Sequence, residues 1–339
     1  MLIVLDPQIS PAQRSAIDET IRAAGCSIAE MPSRRGLLLL VDGDLDRLRQ
    51  VPLKVFAGVS KVVGLSKPYA LNSREHQAEP TVVKVGDARI GGGSLTVIGG
   101  PCAVEDRETL LAIANEVKAS GANLLRGGAY KPRTSPYSFR GLGLEGLLML
   151  RDVGLETGLP TVSEITDPRH IEACVSNVDM VQVGTRNMSN FDLLVEIGKS
   201  GHPVLLKRGR SATIADWLLA AEYILAQGNP NVVLCERGIR GFDPAMRNTL
   251  DLAAIPAIQA RSHLPIIIDP SHATGVSAYV PALARAAIAA GADGVIIETH
   301  TDPTRARSDA DQAMLPADFR DLCEDLRLMH RVANRSIDA

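Results

Sequence analysis

Short apolar segments alternate with helix-like segments from residue 95 to near the end of the 339-residue chain, and this alternation constrains the fold more than any other feature. An apolar run bounded by polar or glycine-rich residues predicts a buried strand, and the amphipathic stretch after it predicts a helix. Strands that alternate with helices form a parallel sheet, because each helix returns the chain to the same edge. Eight such units favour an α/β fold closed as a (β/α)8 TIM barrel, with an open doubly wound sheet as the alternative. The predicted strands cover residues 95–99, 122–126, 160–164, 179–183, 203–207, 231–235, 265–269 and 293–298. The predicted helices cover residues 106–120, 143–157, 168–176, 190–200, 213–227, 245–262, 279–290 and 316–334.

The first 66 residues predict a separate small α+β domain. Ser10 and Pro11 are a typical N-cap and first residue of a helix, which we expect to run to residue 24. The order of elements is β-α-β-β-α-β, which is typical of ferredoxin-like or ACT-like domains. Because no cluster of catalytic residue types occurs here, we assign this domain to regulation or assembly, with a purely structural appendage as the alternative. The other predicted elements are strands at 2–5, 27–31, 36–41 and 54–63 and a helix at 44–50.

A polar segment at residues 67–80 is predicted to link the small domain to the barrel. Residues 81–85 and 88–90 flank Gly86-Asp87 and predict a β-hairpin at the start of the barrel domain. The predicted domains are therefore residues 1–66 and 81–339, joined by the linker.

Overall composition excludes several classes of partner. The formal net charge is −3 and aromatic residues make up 3% of the chain, so neither nucleic acid nor an anionic membrane surface is an expected partner. The five cysteines are scattered and odd in number, a pattern typical of a reducing compartment. The N-terminus has no basic leader with a long apolar stretch, and no window is apolar enough to span a bilayer. We expect a cytoplasmic protein.

Functional side chains follow the predicted strands, where a barrel carries its active site. One group supplies a thiol, an imidazole and one or two carboxylates: Cys102, His272 and Glu298, with Asp309 in the following loop as a further candidate. Such a mixture suits manganese, iron or zinc better than magnesium, which prefers oxygen ligands alone. The barrel is what would bring these four residues together.

A second group of strand-end residues is cationic, although the chain as a whole is slightly acidic. Guanidinium and ammonium groups at one mouth favour a multiply anionic substrate that carries phosphate or carboxylate. A metal beside such a group indicates Lewis-acid activation of a carbonyl next to a phosphorylated partner. The cations are Arg126, Lys131, Arg133, Arg186, Lys207 and Arg237.

These strand ends also carry ordered motifs: GGPCAVED (99–106), LLRGGAYKPRTSPYSFRGLG (124–143), VGTRNM (183–188), LLKRG (205–209), CERGIR (235–240), IIDPSHATG (267–275), IETH (297–300) and SDADQ (308–312). Together they resemble the 3-deoxy-D-arabino-heptulosonate 7-phosphate (DAHP) synthases of the short type I-beta form, over residues 80–335. The N-terminal domain resembles the ferredoxin-like regulatory domain of some members. The resemblance implies condensation of phosphoenolpyruvate with D-erythrose 4-phosphate and water, with release of phosphate, as the first step of the shikimate route to aromatic amino acids.

The resemblance further implies a role for each residue type. Cys102, His272, Glu298 and Asp309 would hold a divalent metal, with manganese as first choice and iron, zinc or cobalt as alternatives. Lys131, Glu164 and His300 are the candidate catalytic residues, and the sequence leaves open whether Glu164, His300 or a metal-bound water transfers protons. Arg126, Lys131, Arg186, Lys207 and Arg237 would hold phosphoenolpyruvate, and Arg133, Thr134 and Ser135 would face the sugar phosphate. The last motif has Ala310 where many members have glycine.

Two alternatives remain at this point. A 3-deoxy-8-phosphooctulonate synthase would use arabinose 5-phosphate on the same barrel, but its usual KANRS loop is KPRTS here. A ligand-binding sensor on a decayed barrel would lack some of the site residues, and all are present. The N-terminal domain predicts feedback inhibition by tyrosine or phenylalanine, and the resemblance implies a homo-oligomer, a tetramer in many relatives.

Overall fold

The computed structural model describes residues 1–33, 36–63, 69–133 and 135–333 of the chain. The strands are β1 Leu2–Leu5, β2 Cys26–Ser33, β3 Gly36–Gly43, β4 Val59–Val63, β5 Val83–Val85, β6 Ala88–Ile90, β7 Thr96–Gly100, β8 Leu124–Arg126, β9 Thr161–Ile165, β10 Met180–Val183, β11 Val204–Lys207, β12 Val232–Glu236, β13 Ile266–Ile268 and β14 Gly294–Glu298. The α-helices are α1 Pro11–Ala23, α2 Leu45–Arg49, α3 Arg107–Ala119, α4 Leu144–Thr157, α5 Ile171–Val175, α6 Phe191–Lys199, α7 Ile214–Leu225, α8 Ala254–Gln259, α9 Pro270–Thr274, α10 Val280–Ala289 and α11 Pro316–Ala333. Over these ranges, none of the helices has the length and apolar character needed to cross a membrane.

Strands β7 to β14 form a closed barrel in which all neighbouring strands are parallel. The barrel closes where β14 pairs with β7, from Gly294 opposite Thr96 to Glu298 opposite Gly100. Closure gives every strand two hydrogen-bonded neighbours and leaves no free edge. The predicted (β/α)8 barrel is therefore confirmed, and the open sheet is excluded.

One buried apolar side chain from each barrel strand fills the interior of the barrel. These eight residues are Ile98, Leu124, Val162, Met180, Leu205, Val233, Ile267 and Ile296. The antiparallel hairpin of β5 and β6 adds Val83, Val85 and Ile90 to the same cluster. The hairpin therefore extends the apolar interior of the barrel.

The residues two positions further along each strand occupy the same face, because side chains alternate along a strand. They form a layer nearer to the carboxyl ends in which six of the eight residues have polar side chains, in contrast to the apolar layer beneath them; the exceptions are Gly100 and Cys235. The eight residues are Gly100, Arg126, Glu164, Gln182, Lys207, Cys235, Asp269 and Glu298. The strand register thus places a layer of functional groups directly above the apolar layer of the barrel interior.

The N-terminal sheet has the strand order β2-β3-β1-β4, and its pairs are antiparallel. This order agrees with the predicted ferredoxin-like fold. Helix α1 begins with a capping box, in which Ser10 and Gln13 each satisfy a backbone N–H of the other. The strand predicted at 54–63 is too long, because residues Leu53–Val55 form a 3-10 turn before β4.

The helix predicted at 245–262 is wrong over its first half, and the helical part is α8 alone. The backbone of Thr249 pairs with Ile239 in an isolated antiparallel bridge. The N–H of Asn248 donates to a carbonyl in α9 at 2.8 Å. Because these N–H groups bond to distant acceptors, they cannot form the bonds of a helical turn. The segment becomes a loop at the carboxyl end of the barrel instead.

The segment that leads into the barrel domain, residues 69–81, is fixed against the barrel, although its sequence is polar. Glu222 on α7 accepts hydrogen bonds from the backbone N–H groups of Ala70 at 2.7 Å, Leu71 at 2.6 Å and Asn72 at 3.2 Å. The Nδ2 of Asn72 also donates to Glu222, at 2.7 Å, and the carbonyl of Leu71 lies 2.7 Å from the Nε2 of His263. We refer to residues 69–81 as the strap.

We expect Glu222→Ala to loosen the strap. Three N–H groups would lose their acceptor, and each buried N–H left unsatisfied costs about 1–3 kcal/mol. Hydrogen exchange at residues 70–72 should accelerate by at least about tenfold, and Tm should fall. Glu196→Ala is the matched control, since Glu196 forms an exposed ion pair with Lys199 at 2.6 Å and such pairs contribute little. Equal exchange in the two variants would contradict this account of the strap.

Candidate active site

A cavity lies at the carboxyl end of the barrel and is lined mainly by charged side chains. It collects residues from seven of the strand ends and the loops that follow them, as the barrel predicts. Its charged and titratable lining residues are Lys131, Arg133, Glu164, Arg186, Lys207, Arg210, Arg237, Arg247, His272 and Asp309. Most of the predicted site residues therefore surround one space.

The four predicted metal ligands lie together at one side of this cavity. One ligand atom from each of Cys102, His272, Glu298 and Asp309 lies within 4.8 Å of the other three. The Sγ of Cys102 is 3.1 Å from the Oδ2 of Asp309, and the Nε2 of His272 is 3.3 Å from the Oε1 of Glu298. Ligand atoms about 2.0–2.3 Å from a shared metal have separations in this range. Both the spacing and the donor types fit a divalent metal ion.

Local backbone geometry presents these ligands. His272 lies in α9, whose N-cap Asp269 accepts from the N–H of His272 at 2.9 Å. Glu298 is the last residue of β14. Asp309 has φ 53° and lies in the left-handed region, which aspartate tolerates better than most residues.

Burial determines the protonation states of two ligands. Burial raises the pKa of the Cys102 thiol to about 12, so the thiol is protonated when no metal is bound. Burial lowers the pKa of His272, which favours the neutral imidazole that binds metals. The cluster therefore needs to lose a proton from Cys102 when it takes up a metal.

Buried ion pairs connect the ligands to the cations. Arg126 pairs with the Oε1 of Glu298 at 3.0 Å, and both side chains are at most 5% exposed. Asp269 receives the ammonium of Lys207 and lies 2.8 Å from the Nδ1 of His272. A carboxylate on the second nitrogen of a ligand histidine fixes its orientation and tautomer. Asp269 is thus shared between the metal cluster and the cationic group.

Two buried guanidinium nitrogens have no hydrogen-bond acceptor within the described ranges: the Nη1 of Arg126 and the Nη1 of Arg237. Buried polar groups are normally satisfied, so such atoms indicate the position of a bound anion. Lys131, unlike these two arginine nitrogens, has hydrogen-bond acceptors. Its Nζ donates to the carbonyl and to the Sγ of Cys102, both at 2.9 Å. Burial opposes its charge, but Cys102 in its thiolate form and the carboxylates of Glu164 and Glu298 raise the pKa of Lys131.

The two candidate proton carriers differ in position. Glu164 lines the cavity, and the Nε2 of Gln182 donates to its Oε2 at 3.3 Å. A Cβ at Gly184 would lie 1.8 Å from the Oε1 of Glu164, so only glycine leaves room for this carboxylate. His300 is buried and lies 3.7 Å from Glu105, and it is absent from the residues that line the cavity in the described part of the chain.

Of the three residues predicted to bind the sugar phosphate, one is shown to line the cavity. Arg133 lines the cavity, and its Nε donates to the carbonyl of Phe139 at 2.8 Å. Ser135 is exposed and accepts from the N–H of Tyr137 at 3.3 Å, so it does not face the cavity in this conformation. Thr134 lies outside the described residues.

The residue-by-residue prediction missed several members of the site. Arg210 and Arg247 line the cavity, and Asp269 and Gln182 stand in the polar layer above the barrel interior. Asp269 and Gln182 follow an inward apolar residue by two positions, so strand periodicity could have identified them. Arg210 and Arg247 lie on loops, and no periodic signal marks them.

The chain is similar to known proteins in sequence. The sequence profile of the DAHP synthetase I family matches residues 72–333. A phospho-2-dehydro-3-deoxyheptonate aldolase of Thermotoga maritima is 48% identical over 269 residues, which cover 79% of this chain and 80% of the relative. A 2-dehydro-3-deoxyphosphooctonate aldolase of Methylobacterium radiotolerans is 34% identical over 277 residues, covering 75% of this chain and 96% of the relative.

Two solved structures have the same fold. The crystal structure of the Thermotoga maritima phospho-2-dehydro-3-deoxyheptonate aldolase (DAHP synthase) has a TM-score of 0.78 and 40% identity, and the match covers 98% of this chain and 97% of that chain. A truncated form of 3-deoxy-D-arabino-heptulosonate 7-phosphate synthase from Thermotoga maritima has a TM-score of 0.74 and 44% identity, and covers 78% of this chain and 97% of that chain.

Metal binding should release one proton from Cys102. Because the pKa of this thiol is raised to about 12, the thiol is protonated near neutral pH and the metal must displace that proton. The affinity for Mn²⁺ should therefore rise with pH, by about tenfold per unit near neutrality, and weaken as the solution is acidified. Calorimetry in buffers of different ionisation enthalpy counts the protons released. Cys174→Ala is the control, since Cys174 is also buried with a raised pKa but lies outside the cluster. Binding of Mn²⁺ without proton release would show that the thiol is not a ligand.

Proposed function

The chain belongs to the DAHP synthetase I family, and on that premise we propose that its barrel condenses phosphoenolpyruvate with D-erythrose 4-phosphate and water. The products are DAHP and phosphate, and the reaction is the first step of the shikimate route. One observation carries the proposal: a metal-binding set and a group of cations open into the same cavity. This combination suits a reaction between an anionic enol and an aldehyde that carries phosphate.

Phosphoenolpyruvate would bind to the buried cations. Arg237 and Arg126 each have a buried Nη1 without an acceptor among the residues that the structure describes, which supports contacts with the carboxylate or the phosphate. Lys207 reaches the same region from β11, where Asp269 balances its charge. Arg186 is exposed at the rim and would close over the anion from outside. Fixed placement of both reactants is worth up to about 7–11 kcal/mol in well-oriented reactions.

Cys102, His272, Glu298 and Asp309 would hold the metal, for which we propose manganese, with iron, zinc or cobalt as alternatives. A bound divalent ion would polarise the aldehyde carbonyl of the sugar phosphate. Lys131 lies against Cys102, and its raised pKa keeps it protonated. We infer that Lys131 orients the reacting groups with its charge and does not act as a base.

The phosphate of erythrose 4-phosphate would bind to the loop that contains Arg133, Thr134 and Ser135. The position of Arg133 at the cavity supports this assignment directly. Ser135 would have to turn inward when the sugar phosphate binds. Glu164 is the better candidate for proton transfer, because it lines the cavity whereas His300 is held beside Glu105.

The alternative substrate is arabinose 5-phosphate. Relatives named as octonate aldolases are 34% identical or less among those compared, against 48% for the heptonate aldolase. The KPRTS loop at residues 131–135 also favours the shorter sugar. We therefore propose erythrose 4-phosphate as the substrate.

We propose that residues 1–66 regulate the enzyme by binding tyrosine or phenylalanine. Support comes from the ferredoxin-like strand order of this part and from the Thermotoga maritima structure described as truncated, which matches 78% of this chain. The strap, residues 69–81, follows this part of the chain and is bound to the barrel through Glu222. It therefore offers a path for coupling between residues 1–66 and the barrel. A homotetramer stays a prediction, supported by the exposed, stacked rings of Phe191 and Tyr223 at 4.5 Å.

Phosphate release should distinguish the two sugars. The Mn²⁺-loaded enzyme is given phosphoenolpyruvate with either erythrose 4-phosphate or arabinose 5-phosphate, and free phosphate is measured. We expect turnover with erythrose 4-phosphate and at least about a hundredfold lower kcat/KM with arabinose 5-phosphate, a difference of about 3 kcal/mol. Lys207→Ala should weaken phosphoenolpyruvate binding, while Lys199→Ala on the surface should not. Turnover with the five-carbon sugar alone would overturn the assignment.

Deleting residues 1–66 should abolish inhibition by tyrosine or phenylalanine while leaving catalysis in place. The cavity residues all lie in the barrel, so removing the small domain does not remove a lining group. Initial rates of both forms are compared across a range of each amino acid, together with their binding to the full chain by calorimetry. Inhibition that persists in the shortened enzyme would place the effector on the barrel.

A further inference from the structure

Ser308 lies where the sugar-phosphate loop meets the metal cluster. Its hydroxyl accepts a hydrogen bond from the Nη2 of Arg133 at 2.5 Å. The same oxygen is 3.2 Å from the Sγ of Cys102 and 3.4 Å from the Oδ2 of Asp309. Ser308 is 6% exposed, so these contacts are shielded from water.

The direction of these hydrogen bonds follows from the number of protons available. A guanidinium only donates, so the Ser308 oxygen accepts from Arg133, and its single proton is free for another acceptor. A metal-bound cysteine is a thiolate without a proton, so it can only accept. At 3.4 Å the Asp309 oxygen is too far for a good O–H···O bond, whereas 3.2 Å is short for the larger sulfur atom. With a metal bound, the hydroxyl of Ser308 would therefore donate to the Sγ of Cys102.

We propose that Ser308 is a positioning residue that couples the sugar-phosphate loop to the metal-bound thiolate of Cys102. The arginine charge polarises the hydroxyl, and the hydroxyl donates to sulfur. Such a bond withdraws electron density from the thiolate and leaves more positive charge on the metal that it binds. The inference rests on the proposed function in one respect, the binding of the sugar phosphate by Arg133. The hydrogen bonds from Arg133 through Ser308 to Cys102 do not depend on that function.

A second contact joins the same two loops. The guanidinium of Arg307 lies 3.7 Å from the ring centroid of Phe139, a cation–π distance. Phe139 also supplies the carbonyl that accepts from the Nε of Arg133. Arg133 is thus held on one side by its own loop and on the other by Ser308. This arrangement fixes the guanidinium before the sugar phosphate arrives.

Cobalt gives a readout that does not depend on turnover. In the Co²⁺-loaded full chain, Ser308→Ala should move the thiolate-to-cobalt charge-transfer band to longer wavelength, because sulfur loses a hydrogen bond. Affinity for Co²⁺ should fall by about tenfold, the usual effect of losing a partner of a metal ligand. Ser308→Thr keeps the hydroxyl and should restore both values. An unchanged band in a folded Ser308→Ala protein would overturn the proposal.

Arg133 provides a second test of coupling, because its hydrogen-bond path to the Cys102 sulfur runs through Ser308. Arg133→Ala should shift the cobalt band in the same direction, and should have no further effect when Ser308 is already alanine. Arg140→Ala is the matched control, since Arg140 is an exposed arginine on the same loop. Equal band shifts for Arg133→Ala and Arg140→Ala would indicate a general charge effect. That result would reject the proposed hydrogen-bond path from Arg133 through Ser308 to Cys102. Failure of the substrate assay with these spectral shifts intact would reject the proposed function alone.

Discussion

Buried charge at the top of the barrel is the constraint on which the rest of the site depends. Glu298 and Asp269 are fully buried above an apolar layer, and each is balanced by a cation, Arg126 for Glu298 and Lys207 for Asp269. Breaking one such pair typically costs about 3–5 kcal/mol, because the remaining charge has no partner. Behind this layer, Arg208 forms a further pair with Glu236 at 2.9 Å and reaches Asp251 at 2.8 Å. The cations that would bind substrate therefore have fixed positions before substrate arrives.

The fold and much of the site could be predicted because one periodicity governs both. An inward apolar residue such as Ile296 marks a strand, and the residue two positions later, Glu298, belongs to the polar layer. Prediction of secondary structure from the sequence was less accurate where tertiary contacts override the local helix preference. The segment before α8 looks helical, but the N–H of Asn248 bonds to a distant carbonyl. Loop cations such as Arg247 have no periodic signal, so only the closed barrel brings them to the cavity.

The strap illustrates the same limit. Its polar sequence is typical of a flexible linker, because polar residues satisfy their hydrogen bonds in water as well as in protein. In the folded chain Glu222, far away in sequence, accepts three of its backbone N–H groups. No pattern in the sequence around residues 70–72 predicts that Glu222 accepts these hydrogen bonds. The consequence is structural: residues 70–72 are held against helix α7 in the folded chain.

Asp309 shows how local backbone and site chemistry depend on each other. Among the described residues it is the one non-glycine residue with positive φ, at 53°. The left-handed position is Asp309 itself and not the residue after it, so Ala310 fits without strain. The unusual conformation turns the carboxylate toward Cys102, at 3.1 Å, while Arg247 holds its other oxygen at 3.2 Å. Strain of about 1–3 kcal/mol at such a position is stable only when neighbouring contacts hold it, and here Cys102 and Arg247 hold one carboxylate oxygen each.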